Sequence, residues 1–116
     1  MFYIGIDIAK RTHEAAIIDE RGNKLCKPFS FPNTADGCEK ILSVLSDNAI
    51  AAADVTVAME ATGQYWLSVY SFFFERGYDI KVLNPIQTDS FRSLNIRKCK
   101  TDVIDSVNIA ELVVFI

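Results

Sequence analysis

A mixed α/β sheet with helices on both faces is the fold class that this sequence predicts, on two observations. Short segments with a period of two, rich in β-branched residues, alternate along the chain with segments of helical periodicity. Short turns join the first three strand-like segments, whereas helices separate the later ones. We therefore expect an antiparallel three-strand meander, then helix–strand–helix–strand–helix, in one domain of 116 residues, half of them apolar.

The stretch 2–10 alternates with a period of two, which predicts a buried strand. Asp7 lies in its middle, where an unpaired carboxylate would be costly to bury. Gly5, two residues earlier on the same face, is expected to leave open space beside it. The two residues together indicate a site that receives a cation, although this segment alone allows Asp7 to pair with a buried Lys or Arg instead. One face carries Phe2, Ile4, Ile6 and Ile8, and the other carries Tyr3, Gly5, Asp7 and Ala9.

The remaining elements follow from periodicity and from turn and cap residues. Strands are expected over 13–18, 24–31, 55–60 and 79–83. Helices are expected from Asn33 or Thr34 to about Ser46, over 64–75 and 86–93, and from Asp102, capped by Thr101, to the end. Gly22 and Gly77 are expected at positive φ, in a turn and just past a helix. This order of five strands and their helices is that of the ribonuclease H fold.

Composition excludes several function classes. The net charge of −3 is close to balanced, so composition alone does not indicate a polyanionic partner. The sequence contains no apolar run long enough to cross a membrane, and no signal peptide is expected. Cys26, Cys38 and Cys99 are widely spaced and are typical of reduced cysteines in a cytoplasmic protein. His13 is expected to be a polar strand-end residue rather than a catalytic base. The apolar end, residues 113–116, predicts that the chain is a fragment of a longer protein.

Four acidic residues form the candidate site. Asp7 lies on the first strand and Glu60 closes the fourth, while Asp102 and Asp105 share one face at the start of the last helix. Sites in open α/β sheets gather at the carboxyl ends of parallel strands. Two Mg²⁺ ions about 4 Å apart, clamped on a phosphodiester, require such an oxygen-only cluster. Taken singly, each helix acid is better explained by stabilisation of the helix dipole, and Glu60 by a solvated strand end. The four acids together favour the metal site over these separate explanations.

A basic segment leads directly into this acidic site. Its residues 90–101 contain no acid, and a phosphate backbone would require cations in such a place. A solvated loop is the alternative interpretation. The four basic residues are Arg92, Arg97, Lys98 and Lys100.

Four motifs in order resemble one protein family along the whole chain. They are Gly5-Ile6-Asp7-Ile8-Ala9-Lys10, Met59-Glu60-Ala61-Thr62-Gly63-Gln64-Tyr65-Trp66, Asn84-Pro85 and Lys100-Thr101-Asp102-Val103-Ile104-Asp105. The chain resembles the N-terminal domain of the DEDD insertion-sequence transposases, a domain similar to the Holliday-junction resolvase RuvC. The resemblance implies that residues 1–116 form a RuvC-like domain of the ribonuclease H class.

The resemblance also implies function. Asp7, Glu60, Asp102 and Asp105 would be the catalytic D-E-D-D set that binds Mg²⁺ or Mn²⁺ for DNA transposition and recombination. Lys10 is predicted to bind nucleic acid together with the basic segment. The missing partners would be a C-terminal transposase domain with a conserved serine and a structured guide RNA, in a bacterial or archaeal cytoplasm. Ser106 stands where a small alanine is common, a departure expected to matter little.

Two other functions remain open at this stage. An actin- or sugar-kinase-like ATPase lobe shares the fold, but its phosphate loop needs a glycine and a hydroxyl just after the first acid, and Ile8-Ala9-Lys10 supplies neither. A non-catalytic nucleic-acid binding or assembly module would use the acids structurally. The aromatic helix over 64–75 is apolar around most of its circumference, so it is either buried on two sides or meets a further partner, and we expect a homo-oligomer.

Overall fold

The computed structural model of the chain describes residues 1–61, 63–84 and 106–115. Within them lie five strands and three α-helices, with one 3₁₀ turn at Ala52–Asp54. The strands are β1 (Phe2–Asp7), β2 (Thr12–Asp19), β3 (Phe29–Pro32), β4 (Val55–Glu60) and β5 (Asp79–Leu83). The helices are α1 (Ala35–Asp47), α2 (Trp66–Glu75) and α3 (Ser106–Phe115).

The five strands form one mixed sheet in the order β3-β2-β1-β4-β5. β1 pairs antiparallel with β2, and β2 with β3, which confirms the predicted meander. β1 pairs parallel with β4, and β4 with β5. Parallel neighbours require a crossover, and α1 and α2 provide the two that the sequence predicts.

The two faces of the sheet carry different helices. The face of Ile4 and Ile6 packs in one core cluster with residues of α1 and α2, such as Ile41 and Phe73. The opposite face packs against α3, whose Ile109 joins residues of β4 and β5 in a second cluster. The alternation of β1 therefore separates two cores, and the helices cover both faces as predicted.

Gly5 is where α3 approaches the sheet most closely. A β-carbon on Gly5 would overlap the carbonyl oxygen of Ser106 and lie 2.5 Å from the backbone nitrogen of Ala110. The prediction of open space beside Asp7 is therefore wrong, because the backbone of a helix occupies it. Glycine at this position serves helix packing, since any side chain would push α3 off β1.

Several boundaries differ from those that the sequence predicts. β1 ends at Asp7, so this residue lies at the carboxyl end of the strand and not in its middle. The third strand was expected over 24–31, but it begins at Phe29, and Lys24 makes only an isolated bridge to Ile18. Pro28 explains the interruption, because proline has no N–H to donate to a ladder. The predicted helix over 86–93 and the start of the last helix lie outside the described residues.

Local signals predicted other features correctly. Val55–Glu60 and Asp79–Leu83 have the expected bounds. The Thr34 hydroxyl accepts a hydrogen bond from the Gly37 N–H at 3.0 Å, which confirms it as the N-cap of α1. Gly22 and Gly77 have φ of 86° and 80°.

α2 buries one face and leaves another in solvent. Val69, Phe72 and Phe73 are buried, whereas the side chains of Leu67 and Phe74 remain 51% and 63% exposed. α2 is therefore not buried on two sides, which was one of the two alternatives that the sequence left open. None of the helices in the described ranges is both long and apolar enough to cross a membrane.

His13 is buried and holds the turn between β1 and β2. Its Nδ1 accepts a hydrogen bond from the Ala9 N–H at 3.0 Å, and its ring meets the edge of Phe31. Its Nε2 is buried without a hydrogen-bond partner among the residues that the structure describes. Burial lowers the pKa of His13, and the nearby Asn33 side chain offsets this only in part.

The close approach at Gly5 generates a first prediction. Gly5→Ala is expected to lower the free energy of unfolding by about 1–3 kcal/mol, because the new methyl group overpacks against helix backbone. Urea denaturation measures this loss, and hydrogen exchange should show faster exchange of the α3 amides. Gly22→Ala is the matched control, since nothing lies within 4 Å of its added carbon. It should strain only its own turn. Unchanged exchange of α3 in Gly5→Ala would contradict the packing described here.

His13 generates a second prediction. Burial favours the neutral ring, so the unfolded chain, with a pKa near the ordinary value of 6.5, takes up the proton first. The stabilising effect of neutral His13 is complete above about pH 6.5 and decreases as the pH falls toward the lowered pKa. Urea denaturation from pH 8 to 5 should show a steeper loss of stability in the parent than in His13→Gln. Parallel pH profiles would contradict this role.

Candidate functional site

Asp7 and Glu60 lie side by side at one edge of the sheet. The parallel register pairs Ile4 with Val57 and ends with Ile6 opposite Met59, so Asp7 and Glu60 are the next residues on the two strands. Neighbouring strands are about 4.8 Å apart, and residues at equivalent register share a face. Both side chains are half-buried. By alternation they lie on the α3 face, at the carboxyl ends of β1 and β4.

Glu14 adds a third carboxylate that the sequence reasoning missed. The antiparallel register pairs Asp7 directly with Glu14 on β2. Three acids therefore lie on adjacent strands of the same face, in the order Glu14, Asp7, Glu60. The signal was present in the sequence, because Glu14 is the only acidic residue in the second strand before Asp19. Whether Glu14 pairs with Asp7 depends on the length of the turn between β1 and β2, and the periodicity of the sequence does not specify that length.

The first residue of α3 contacts this row of acids. The Ser106 hydroxyl donates a hydrogen bond to Oε1 of Glu14 at 2.7 Å. Ser106 is fully buried, and Glu14 is half-buried. The amino-terminal end of α3 therefore lies over β1 and β2, near the ends of these strands that carry Asp7 and Glu14.

The acids fit a hard divalent cation. Carboxylate oxygens are the ligands that Mg²⁺ prefers, and it commonly uses one or two of them together with substrate phosphates. Like charges directly opposite each other in a sheet are destabilising, and a cation would relieve this repulsion. Within residues 1–61, 63–84 and 106–115 no group of three potential ligands comes together as a metal site. Asp102 and Asp105 lie outside the described residues, so their position relative to Asp7 and Glu60 stays a prediction.

Lys10 lies in the turn that follows Asp7. Its side chain is exposed, and its carbonyl oxygen accepts a hydrogen bond from the Asn33 side chain at 3.3 Å. The turn after β1 is thus held by a hydrogen bond to Asn33, and it contains the exposed Lys10 three residues after Asp7. The predicted nucleic-acid contacts Arg92, Arg97, Lys98 and Lys100 lie outside the described residues.

The architecture defines the class of the protein. RuvC of T. thermophilus in complex with a Holliday junction substrate superposes with a TM-score of 0.64 at 16% identity, over 97% of this chain and 91% of that one. The Fowlpox virus resolvase, solved with Holliday junction DNA, superposes with a TM-score of 0.55 at 14% identity, over 99% and 97% of the two chains. The chain therefore has the ribonuclease H-like, RuvC-like fold that the sequence predicts.

Sequence comparison identifies the family. A DEDD transposase family model, described as Transposase, matches residues 4–115. The chain belongs to this transposase family, which confirms the family that the four motifs predict and does not favour the ATPase lobe. The pilin gene-inverting protein of Moraxella lacunata is 29% identical over 109 residues, 93% of this chain. The chain spans about a third of the length of that relative, 33%.

Proposed function

We propose that this chain is the metal-binding part of a DNA transposase that cuts or exchanges phosphodiester strands during insertion-sequence transposition. The observation that carries the proposal is the placement of Asp7 and Glu60 side by side at the carboxyl ends of two parallel strands. Membership of the transposase family and the RuvC-like fold support the same function. The similar resolvase and RuvC structures contain Holliday junctions, which supports DNA as the substrate class.

Four residues would hold the metal, Mg²⁺ or Mn²⁺. Asp7 and Glu60 would provide ligands from the sheet, and Asp102 and Asp105 would complete the set from the segment that leads into α3. When bound, the metal supplies Lewis-acid stabilisation of the negative charge that develops on the phosphate oxygens. Asp7 and Glu60 would hold the metal at the ends of two paired strands of the sheet, which fixes its position relative to the substrate.

The basic residues would hold the nucleic-acid backbone. The exposure of Lys10 in the turn that follows Asp7 supports a phosphate contact at this end of β1. Arg92, Arg97, Lys98 and Lys100 would extend this contact in the segment before Asp102. Phosphate contacts of this kind orient a strand without reading its sequence. A structured guide RNA would be a second nucleic-acid partner, as the family resemblance implies.

The chain would act as part of a larger assembly in the cytoplasm. The relative from Moraxella is about three times as long, which supports a further, C-terminal transposase domain in the whole protein. The exposed Leu67 and Phe74 on α2 supply apolar surface for self-association. Tyr70 stacks on Phe74 with the ring centroids 5.7 Å apart, which extends this surface with a second aromatic ring.

The metal proposal is tested by removing one charge. Asp7→Asn keeps the shape of the side chain and is expected to weaken Mn²⁺ binding by about 10-fold or more, since a ligand contributes at least as much as its outer partners. Isothermal titration calorimetry with Mn²⁺ measures this, and thermal unfolding shows whether the metal still stabilises the fold. Asp54→Asn is the matched control, because Asp54 is exposed just before β4, at the end away from Glu60. Equal Mn²⁺ affinity in Asp7→Asn and the parent would assign the acids to a structural role.

The nucleic-acid proposal is tested through salt dependence. Replacing Arg97 and Lys98 by alanine should weaken binding to all DNA sequences alike and reduce the slope of log K against log [salt] by about 1–2. Fluorescence anisotropy with duplex and junction DNA between 50 and 300 mM NaCl measures the slope. The matched control replaces the exposed Lys24 and Lys27, which changes the net charge equally. An identical slope in both double variants would identify the segment over 90–101 as a solvated loop.

A further inference from the structure

One hydrogen bond connects the two parts of the chain that would build the metal site. The Ser106 hydroxyl donates to Oε1 of Glu14 at 2.7 Å, although the two residues are 92 positions apart in the sequence. Ser106 is completely buried. Hydrogen bonds to carboxylates are stronger than neutral ones, and the exclusion of water strengthens them further. This contact therefore ties the first residue of α3 to the second strand of the sheet.

Each end of this hydrogen bond adjoins a proposed metal ligand. Glu14 is the direct cross-strand partner of Asp7. Ser106 is the residue that follows Asp105 in the sequence. The carbonyl oxygen of Ser106 also lies against Gly5, two residues before Asp7 on the same face. The side chain of Ser106 is thus held against β2, and its backbone lies against β1, the strand that ends at Asp7.

We propose that Glu14 and Ser106 form a positioning pair that sets the entry of α3, and with it Asp105, relative to Asp7. The inference rests on the proposed metal site and assigns roles to two residues outside the D-E-D-D set. Ser106 was expected to matter little, as a departure from alanine. Its hydroxyl makes a contact that alanine cannot make, so the departure has a structural consequence in this chain.

Glu14 acts in this proposal through Ser106 and not as a metal ligand. One of its oxygens already accepts the Ser106 hydroxyl. In the described part of the chain, Glu14, Asp7 and Glu60 do not converge into a group of three that could hold a metal. The role of Glu14 is therefore to accept a hydrogen bond, which an uncharged acceptor of the same shape can also do.

The first test removes the hydroxyl. Ser106→Ala is expected to raise the dissociation constant for Mn²⁺ about tenfold, the low end of what outer-shell partners of metal ligands contribute. Thr56→Val is the matched control, since it removes another hydroxyl–carboxylate hydrogen bond of the same sheet, from Thr56 to Asp79 at 3.1 Å. Thr56 lies near the opposite end of β4 from Glu60. This control is expected to lower the unfolding midpoint but leave the Mn²⁺ dissociation constant unchanged.

The second test separates an acceptor from a ligand. Glu14→Gln keeps an oxygen for the Ser106 hydroxyl and should bind Mn²⁺ nearly as well as the parent, whereas Glu14→Ala should lose as much affinity as Ser106→Ala. If Ser106→Ala does not fold, the Mn²⁺ affinities of these two Glu14 variants still test the proposal. Calorimetric titration of the 116-residue chain with Mn²⁺ measures all of them alongside Asp7→Asn.

The possible outcomes are distinguishable. Unchanged Mn²⁺ affinity in Ser106→Ala or in Glu14→Ala overturns the positioning pair and leaves the metal site intact. A loss in Glu14→Gln as large as that in Asp7→Asn also overturns it, because Glu14 would then be a ligand. If the parent chain binds no Mn²⁺, or binds it no better than Asp7→Asn does, the proposed metal site itself is overturned, and the positioning role with it.

Discussion

The contact between the backbone of α3 and Gly5 is the constraint on which the rest of this structure depends. The absence of a side chain at Gly5 lets the helix lie directly on β1, where the carbonyl oxygen of Ser106 and the nitrogen of Ala110 occupy the position of a β-carbon. From there α3 buries Ile109 and its apolar neighbours against the sheet. The same contact brings the late part of the chain to the first strand, beside Asp7.

The parallel pairing of β1 with β4 is the second constraint. It sets Asp7 and Glu60 at the same edge of the sheet, which an antiparallel pairing would not do. The pairing concentrates negative charge there, because Glu14 joins the row from the antiparallel side. Glu14 in this row accepts a hydrogen bond from the buried hydroxyl of Ser106.

The two faces of the sheet serve different purposes. The face covered by α1 and α2 holds the larger core, and His13 anchors the turn after β1 from that side through its bond to Ala9. The α3 face holds the acids. The turn that carries the exposed Lys10 is thus fixed by the buried His13. Leu67 and Phe74 leave apolar surface of α2 exposed outside both cores.

Local patterns in the sequence determined the strands β4 and β5, the Thr34 cap and the position of Glu60 at the end of β4, because periodicity, caps and motifs act over a few residues. The parallel pairing that brings Asp7 beside Glu60 was decided by the tertiary structure. The family and the fold class followed from the same motifs. The tertiary structure alone decided that α3 fills the space at Gly5 and that the Ser106 hydroxyl reaches Glu14. Such contacts join residues about a hundred positions apart, and they depend on how closely two backbones approach, which no local pattern encodes.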